Sequence, residues 1–121
     1  MKEYRDENDQ LHREDGPAYE DASGKFWYWH GKFHRQDGPA IEDADGHKDW
    51  YWHGKCHRED GPAVEYANGD KIWYWHGELH REDGPACEYA DGDEEWFYHG
   101  RRIDCQSNQE FLRLIKLKAF W

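Results

Sequence analysis

The stretch Leu11-His12-Arg13-Glu14-Asp15-Gly16-Pro17-Ala18 comes back three times along the chain. It returns as Phe33-His34-Arg35-Gln36-Asp37-Gly38-Pro39-Ala40, as Cys56-His57-Arg58-Glu59-Asp60-Gly61-Pro62-Ala63 and as Leu79-His80-Arg81-Glu82-Asp83-Gly84-Pro85-Ala86. The intervals from His to His are 22, 23 and 23 residues. A second block alternates with the first: Trp27-Tyr28-Trp29-His30-Gly31, Trp50-Tyr51-Trp52-His53-Gly54, Trp73-Tyr74-Trp75-His76-Gly77 and Trp96-Phe97-Tyr98-His99-Gly100. Self-similarity at a fixed period marks a repeat architecture. The residue missing from the first interval falls in Ala22-Ser23-Gly24-Lys25, a turn, where length changes are tolerated.

A unit of about 23 residues is too short for two helices and is full of strand and turn signals. Gly61 to Tyr66 reads as a strand that Pro62 begins but does not sit inside. Ala67-Asn68-Gly69-Asp70 reads as a tight turn in which Asn-Gly favours positive φ. Ile72-Trp73-Tyr74-Trp75 is the return strand, and His76-Gly77-Glu78 turns the chain again. The predicted fold is therefore an all-β repeat. Four β-hairpin units over 11–104 add side by side into one elongated antiparallel sheet, because a unit cannot bury its apolar face alone. Residues 1–10 form a degenerate cap, with Arg5-Asp6-Glu7-Asn8 in place of the aromatic block; a polar edge blunts sheet-to-sheet aggregation. Residues 107–120 form a C-terminal α-helix. It opens on the capping box Ser107-Asn108-Gln109-Glu110 and carries an apolar stripe of Phe111, Leu114, Ile115, Leu117 and Trp121 that covers the last hairpin. Lys118 falls within that stripe and is expected to snorkel.

The repeat units resemble MORN-type repeats, which have aromatic-rich hairpins of about 23 residues and Asn-Gly-Lys or Asp-Gly turns. His-Gly-Lys at 30–32 and 53–55 and Asp-Gly at 45–46 and 91–92 stand in the matching places. The His-Arg-Glu-Asp-Gly-Pro-Ala connection is about two residues longer than the family's and contains Pro. Such arrays followed by a short terminal helix are similar to small proteins of phages and large DNA viruses. The resemblance covers residues 11–118 and implies a protein-binding scaffold.

Composition bounds the function. The 121 residues hold 16 Lys+Arg against 27 Asp+Glu, a net charge of −11, with 17% aromatics. Acidic chains poor in aromatics read as disordered; this one, with eight Trp and eight Tyr, does not. The charge argues against direct nucleic-acid binding or membrane attachment through a basic surface. Three Cys without a CxxC spacing, and no apolar run long enough for a membrane span, point to a reducing cytoplasm. Cys56 and Cys87 occupy apolar slots of the repeat and are expected to be buried and inert, whereas Cys105 in the tail linker is expected to be exposed.

Residues 12–99 contain 21 acidic and 9 basic residues, a surplus of about three carboxylates per repeat, whereas 100–121 is positive. A hairpin rung advances about 10 Å, and one DNA strand places about three phosphates in that length. This match suggests nucleic-acid mimicry by an inhibitor that occupies the basic groove of a host defence or nucleic-acid-handling complex. Ordinary solubility would explain the same charge.

The recurring positions sort by chemistry. His30/His34, His53/His57 and His76/His80 have a spacing compatible with zinc, but recurrence at every rung favours a ladder that orders the turns, and no metal or cofactor is expected. His12, His34, His57 and His80, with Arg13, Arg35, Arg58 and Arg81 and with Asp15, Asp37, Asp60 and Asp83, are read as structural ladders, the Arg and Asp pairing within or between rungs. Four similar carboxylates do not make the two distinct environments that acid–base catalysis needs, so no enzyme is expected. The two Trp of each of the first three blocks, with Trp96 and Tyr98 of the fourth, share one sheet face and Tyr28, Tyr51, Tyr74 and Phe97 share the other, an aromatic binding face. Variable acidic positions at the hairpin tips, Asp45, Asp49, Asp70, Asp93, Glu94 and Glu95, form a candidate acidic contact edge. Aromatic grooves with Lys25, Lys32, Lys48, Lys55 and Lys71 would alternatively suit a nucleotide. A structural scaffold is a third reading, and a homodimer would bury the same aromatic face.

Overall fold

In the computed structural model, which describes residues 1–117, the chain is mostly short β-strands with one C-terminal helix. In chain order these are β1 (Lys2–Glu3), β2 (Tyr19–Asp21), β3 (Gly24–Phe26), β4 (Tyr28–Trp29), β5 (Lys32–Phe33), β6 (Ile41–Asp43), β7 (Lys48–Asp49), β8 (Tyr51–Trp52), β9 (Lys55–Cys56), β10 (Val64–Glu65), β11 (Lys71–Ile72), β12 (Tyr74–Trp75), β13 (Glu78–Leu79), β14 (Cys87–Glu88), β15 (Glu94–Tyr98), β16 (Arg101–Ile103) and α1 (Asn108–Leu117). Ten of them form an antiparallel sheet in the order β1-β2-β3-β6-β7-β10-β11-β14-β15-β16. Nine strand spacings of about 4.8 Å make it roughly 43 Å long.

The expected single sheet is corrected in one respect. The return strand does not run through its Trp. It breaks at Trp27, Trp50 and Trp73, and the residues beyond form three separate two-stranded ladders, β4-β5, β8-β9 and β12-β13. The physical reason lies in the Gly-Pro-Ala segment of the next repeat. Proline offers no N–H, so the ladder cannot be continued past it. Trp27, Trp50 and Trp73 instead donate their N–H to Ala40, Ala63 and Ala86, each at 2.7 Å, and the chain then leaves the sheet. These alanines, with Ala18, are fully buried. The fourth block has no further Gly-Pro-Ala beside it, and β15 runs unbroken into pairing with β16.

The two turns of each unit differ in backbone type, and the pair of positive φ values lies at the turn for which none was expected. The tip at 66–70 closes with Gly69 N–H on Tyr66 O and Tyr66 N–H on Asp70 O, both at 3.0 Å; only Gly69 has positive φ, and Asn68 caps the turn through its side chain. Two successive positive φ values occur at the His-Gly turns instead, as in His53 (48°) and Gly54 (84°). That is the type I′ geometry matched to strand twist, with His in the place usually taken by Asn. The shortened first tip is where the interval predicted it, since Tyr19 pairs with Phe26 whereas Ile41 pairs with Asp49.

One row of the long sheet runs Tyr19, Phe26, Ile41, Asp49, Val64, Ile72, Cys87, Glu95. Val64, Ile72 and Cys87 form its buried centre, against which Cys56, Tyr74, Leu79, Tyr89 and Phe97 pack. The N-terminal segment pairs through β1 at Lys2–Glu3 and an Arg5–Leu11 bridge, with Tyr4 in the place of the first Trp. At the other end Ser107 caps α1, its hydroxyl accepting the Glu110 N–H at 3.2 Å. Fully buried Phe111 packs on Trp96, Ile103 and Cys105, and the Trp96 indole N–H donates to Asn108 at 2.8 Å. Cys105 is therefore buried rather than exposed: the linker folds under the helix. Lys118 and Trp121 lie outside the described residues.

Candidate functional site

Each His-Arg-Glu-Asp-Gly-Pro loop folds around its arginine. In the second loop Arg35 donates through Nε to Asp37 at 3.0 Å and through Nη1 to the Pro39 carbonyl at 3.1 Å and Glu42 at 2.6 Å. Its guanidinium lies 3.8 Å from the Trp27 ring centroid. Arg58 covers Trp50 and Arg81 covers Trp73 in the same way, while Arg13 covers Tyr4. The Arg–Asp pairing is thus within a rung, and the arginine also ties each rung to the aromatic residue of the one before. The loop glycine follows from this packing: a Cβ on Gly38 would lie 2.9 Å from the Arg35 guanidinium carbon.

The histidine ladder orders the turns, but its partners are not the residues four positions apart. Nδ1 of His34, His57 and His80 accepts the N–H of His53, His76 and His99 at 2.8–2.9 Å, and His12 does the same for His30 at 3.0 Å. The paired rings stack at 4.0–4.2 Å. Each left-handed turn residue thereby has its N–H satisfied by the rung before it. An Nδ1 that accepts must be unprotonated, so the neutral ring carries its proton on Nε2. Burial, and then the charge of the stacked partner, hold His34, His57 and His80 below the usual histidine value.

The loops stand as ridges, and three grooves of about 640, 860 and 720 Å³ lie between them. Their floors are Trp27 with Trp29, Trp50 with Trp52, and Trp73 with Trp75. Both Trp of a block thus reach the same groove. Trp52 and Trp75 remain 37% and 36% exposed. The rims carry Asp15, Asp37, Asp60 and Asp83, whose side chains are 85–88% exposed despite their Arg contact. Glu14, Glu59 and Glu82 add exposed carboxylates, and Gln36 takes the corresponding place on the second ridge. A π-rich floor under carboxylate rims attracts cations: the ring faces and the acids act in the same sense.

The remaining expected site residues are placed differently. Tyr28, Tyr51, Tyr74 and Phe97 are half-buried; Tyr28 stacks on Phe33 at 4.5 Å, and Tyr74 and Phe97 pack on the central core, although Tyr51 and Tyr74 also touch the grooves, so this column is less open than Trp52 and Trp75. Of the acidic tips, Asp45, Asp93 and Glu94 are exposed. Asp70 accepts the Ala90 N–H of the next rung at 2.7 Å. Asp49 and Glu95 are not on the edge at all. They occupy the inward row, where period-two alternation puts every second residue. Glu95 accepts the Tyr89 hydroxyl at 2.5 Å and holds that phenol well above its usual value. Burial, and then Asp43, push the Asp49 carboxyl up. Lys25, Lys48 and Lys71 lie on the long sheet and Lys32 and Lys55 on the small hairpins, so none lines the grooves. Among the described residues one group, Asp43, Asp45 and His47, brings possible ligand atoms within 4.8 Å of one another. Its atoms have structural partners: Asp43 accepts two N–H groups of its own turn, and His47 Nδ1 accepts the Ala67 N–H at 2.9 Å.

No protein-family model, curated protein or solved structure matches the chain. Among the described residues no helix is long and apolar enough to cross a membrane.

Proposed function

We propose that this chain is a non-enzymatic binding protein, a variant of the MORN type, that docks its grooved, acidic, tryptophan-lined side onto a basic surface of a partner protein. The observation that carries this reading is the exposure of Trp52 and Trp75 between carboxylate-bearing ridges in two successive grooves. Large aromatics left open in a rim of like charge are the pattern of an interface anchor, since Trp dominates binding hot spots. The carboxylate surplus of about three per rung, against about three phosphates per 10 Å of a DNA strand, favours a partner that handles nucleic acid. On this reading the chain is a phage-encoded inhibitor that occupies a groove of a host defence or nucleic-acid-handling complex in the host cytoplasm.

The test is to titrate the protein against candidate nucleases and guide-RNA complexes at 50 and 500 mM salt, roughly a threefold change in screening length. Tight binding at low salt that weakens steeply at high salt is expected. Absence of binding at low salt, or binding indifferent to salt, contradicts the proposal.

A further inference from the structure

The three grooves repeat with the rung, and that spacing selects a ligand conformation. Two strand spacings set the groove-to-groove distance at about 9.6 Å. A polyproline II segment advances about 9.3 Å in one turn of three residues and returns every third side chain to the same face. An extended β-strand covers a similar distance in three residues but turns residue i+3 to the opposite face. An α-helix returns a residue near the same face every seven positions, about 10.5 Å on, but residues i+3 and i+4 share that face and would land on the ridges. In polyproline II the two intervening residues point away to either side. The chemistry of the groove defines the side chain: Trp52 with Glu59, and Trp75 with Glu82, offer an aromatic face and a carboxylate not held by an arginine to a cation, while Asp60 and Asp83 hold the ridge arginines.

We infer that the grooves receive a basic polyproline II segment of the partner, one arginine or lysine per groove at every third residue, with three such residues filling the array. This rests on the binding role proposed above and specifies how it is performed. Arg35 and Arg58 sit in the ridges with their charge already met by Asp37 and Glu42 or Asp60 and Glu65, so the incoming cations face a surplus of acid rather than a balanced surface.

The experiment uses the full chain and four synthetic peptides followed by calorimetry in low salt. The first carries Arg-Pro-Pro three times. The second has the same composition with its arginines contiguous. The third extends the first to five repeats. The fourth is an Ala-rich helix with Arg at every seventh residue. The first peptide is expected to bind at least tenfold more tightly than the second, and to lose at least fivefold on either Trp52→Ala or Trp75→Ala. Affinity should change less than threefold from three to five repeats, because three grooves are filled by three arginines; a proportional rise with the fourth and fifth repeats overturns the three-groove array. Equal binding of the spaced and contiguous peptides overturns the spacing while leaving the acidic binding surface standing. Preference for the helical peptide overturns the conformation. Failure of every peptide in low salt overturns the inference; the proposed function falls with it only if the protein partners also fail to bind.

Discussion

Replacing Gly38 by Ala probes the contact that joins successive rungs. The new methyl group would lie 2.9 Å from the Arg35 guanidinium carbon, closer than van der Waals contact allows, so the end of the flexible arginine must shift on Trp27. What it gives up can be summed from its partners. A partly desolvated cation–π contact contributes about 1 kcal/mol. The charged hydrogen bond to the Pro39 carbonyl contributes about 1 kcal/mol and the half-exposed pair with Glu42 about 0.5 kcal/mol. The pair with Asp37, whose side chain is 86% exposed, adds little. Gly38→Ala should therefore destabilise the chain by at most about 2 kcal/mol, the loss of all these contacts, which would move a urea midpoint by at most roughly 1 M. Gly38 does not need positive φ, and the three atoms nearest the added methyl all belong to Arg35, so the same change in an Arg35→Ala background removes that clash. There it should be neutral or stabilise by about 0.5 kcal/mol through the unfolded state. A double-mutant cycle in urea measures the difference as a coupling energy between about 0.5 and 2 kcal/mol. If Gly38→Ala costs the same with and without Arg35, the stacked guanidinium is not the reason for glycine at this position.

Three further outcomes follow from the same geometry. His34, His57 and His80 have their protonation disfavoured in the folded state, so the unfolded chain binds protons first. Their stabilisation is complete above about pH 6.5 and declines as pH falls through the lower folded values, before the carboxylates begin to titrate near pH 4. Urea midpoints from pH 8 to 5 should show that decline, and His57→Asn, which keeps an acceptor near Nδ1, should shrink it; a flat profile refutes the ladder. Asp49→Ile, matching Ile72 one repeat on, should raise stability by about 1 kcal/mol at pH 7 and by less at pH 4, since the carboxyl is already easier to bury once protonated; no gain at pH 7 would remove Asp49 from the inward row. Cys56, pushed up to about 12 by burial, together with buried Cys87 and Cys105, should react with a thiol reagent far more slowly in the native chain at pH 8 than in urea. Rapid native labelling of Cys105 would place it outside the helix-covered core.

Much of this architecture was legible in residue order, and what was not has identifiable causes. The period, the antiparallel hairpins, the short first tip and the Ser107 cap all follow from local chemistry that neighbouring residues determine. The break at Trp27, Trp50 and Trp73 does not, because Ile72-Trp73-Tyr74-Trp75 keeps its strand alternation through the kink. What interrupts pairing is a proline in the next repeat, a long-range neighbour. The histidines illustrate the same limit. His53 and His57 are close in sequence, but His53 meets His34, nineteen residues back, because the type I′ turn presents its N–H toward the earlier rung. The grooves needed both kinds of information. Tryptophan content announced an aromatic face, but which residues stay open depends on the arginines that cover Trp27, Trp50 and Trp73, while Trp52 and Trp75 pack only edgewise or tilted on histidines and keep part of their surface exposed. Asp49 reads as part of an acidic tip because Asp43 and Asp45 lie in the turn just before it; sheet register alone sends it inward.

The binding face can be tested by comparing two variants of the full chain against a partner that binds the wild type in low salt. One variant replaces Trp52 and Trp75 by Ala on the groove floor. The other neutralises the exposed tips through Asp45→Asn, Asp93→Asn and Glu94→Gln. The grooved face as the binding surface predicts at least a tenfold loss of affinity for the first variant and less than a threefold change for the second. Retained affinity in the first, with loss in the second, would move the interface to the tips and contradict the account.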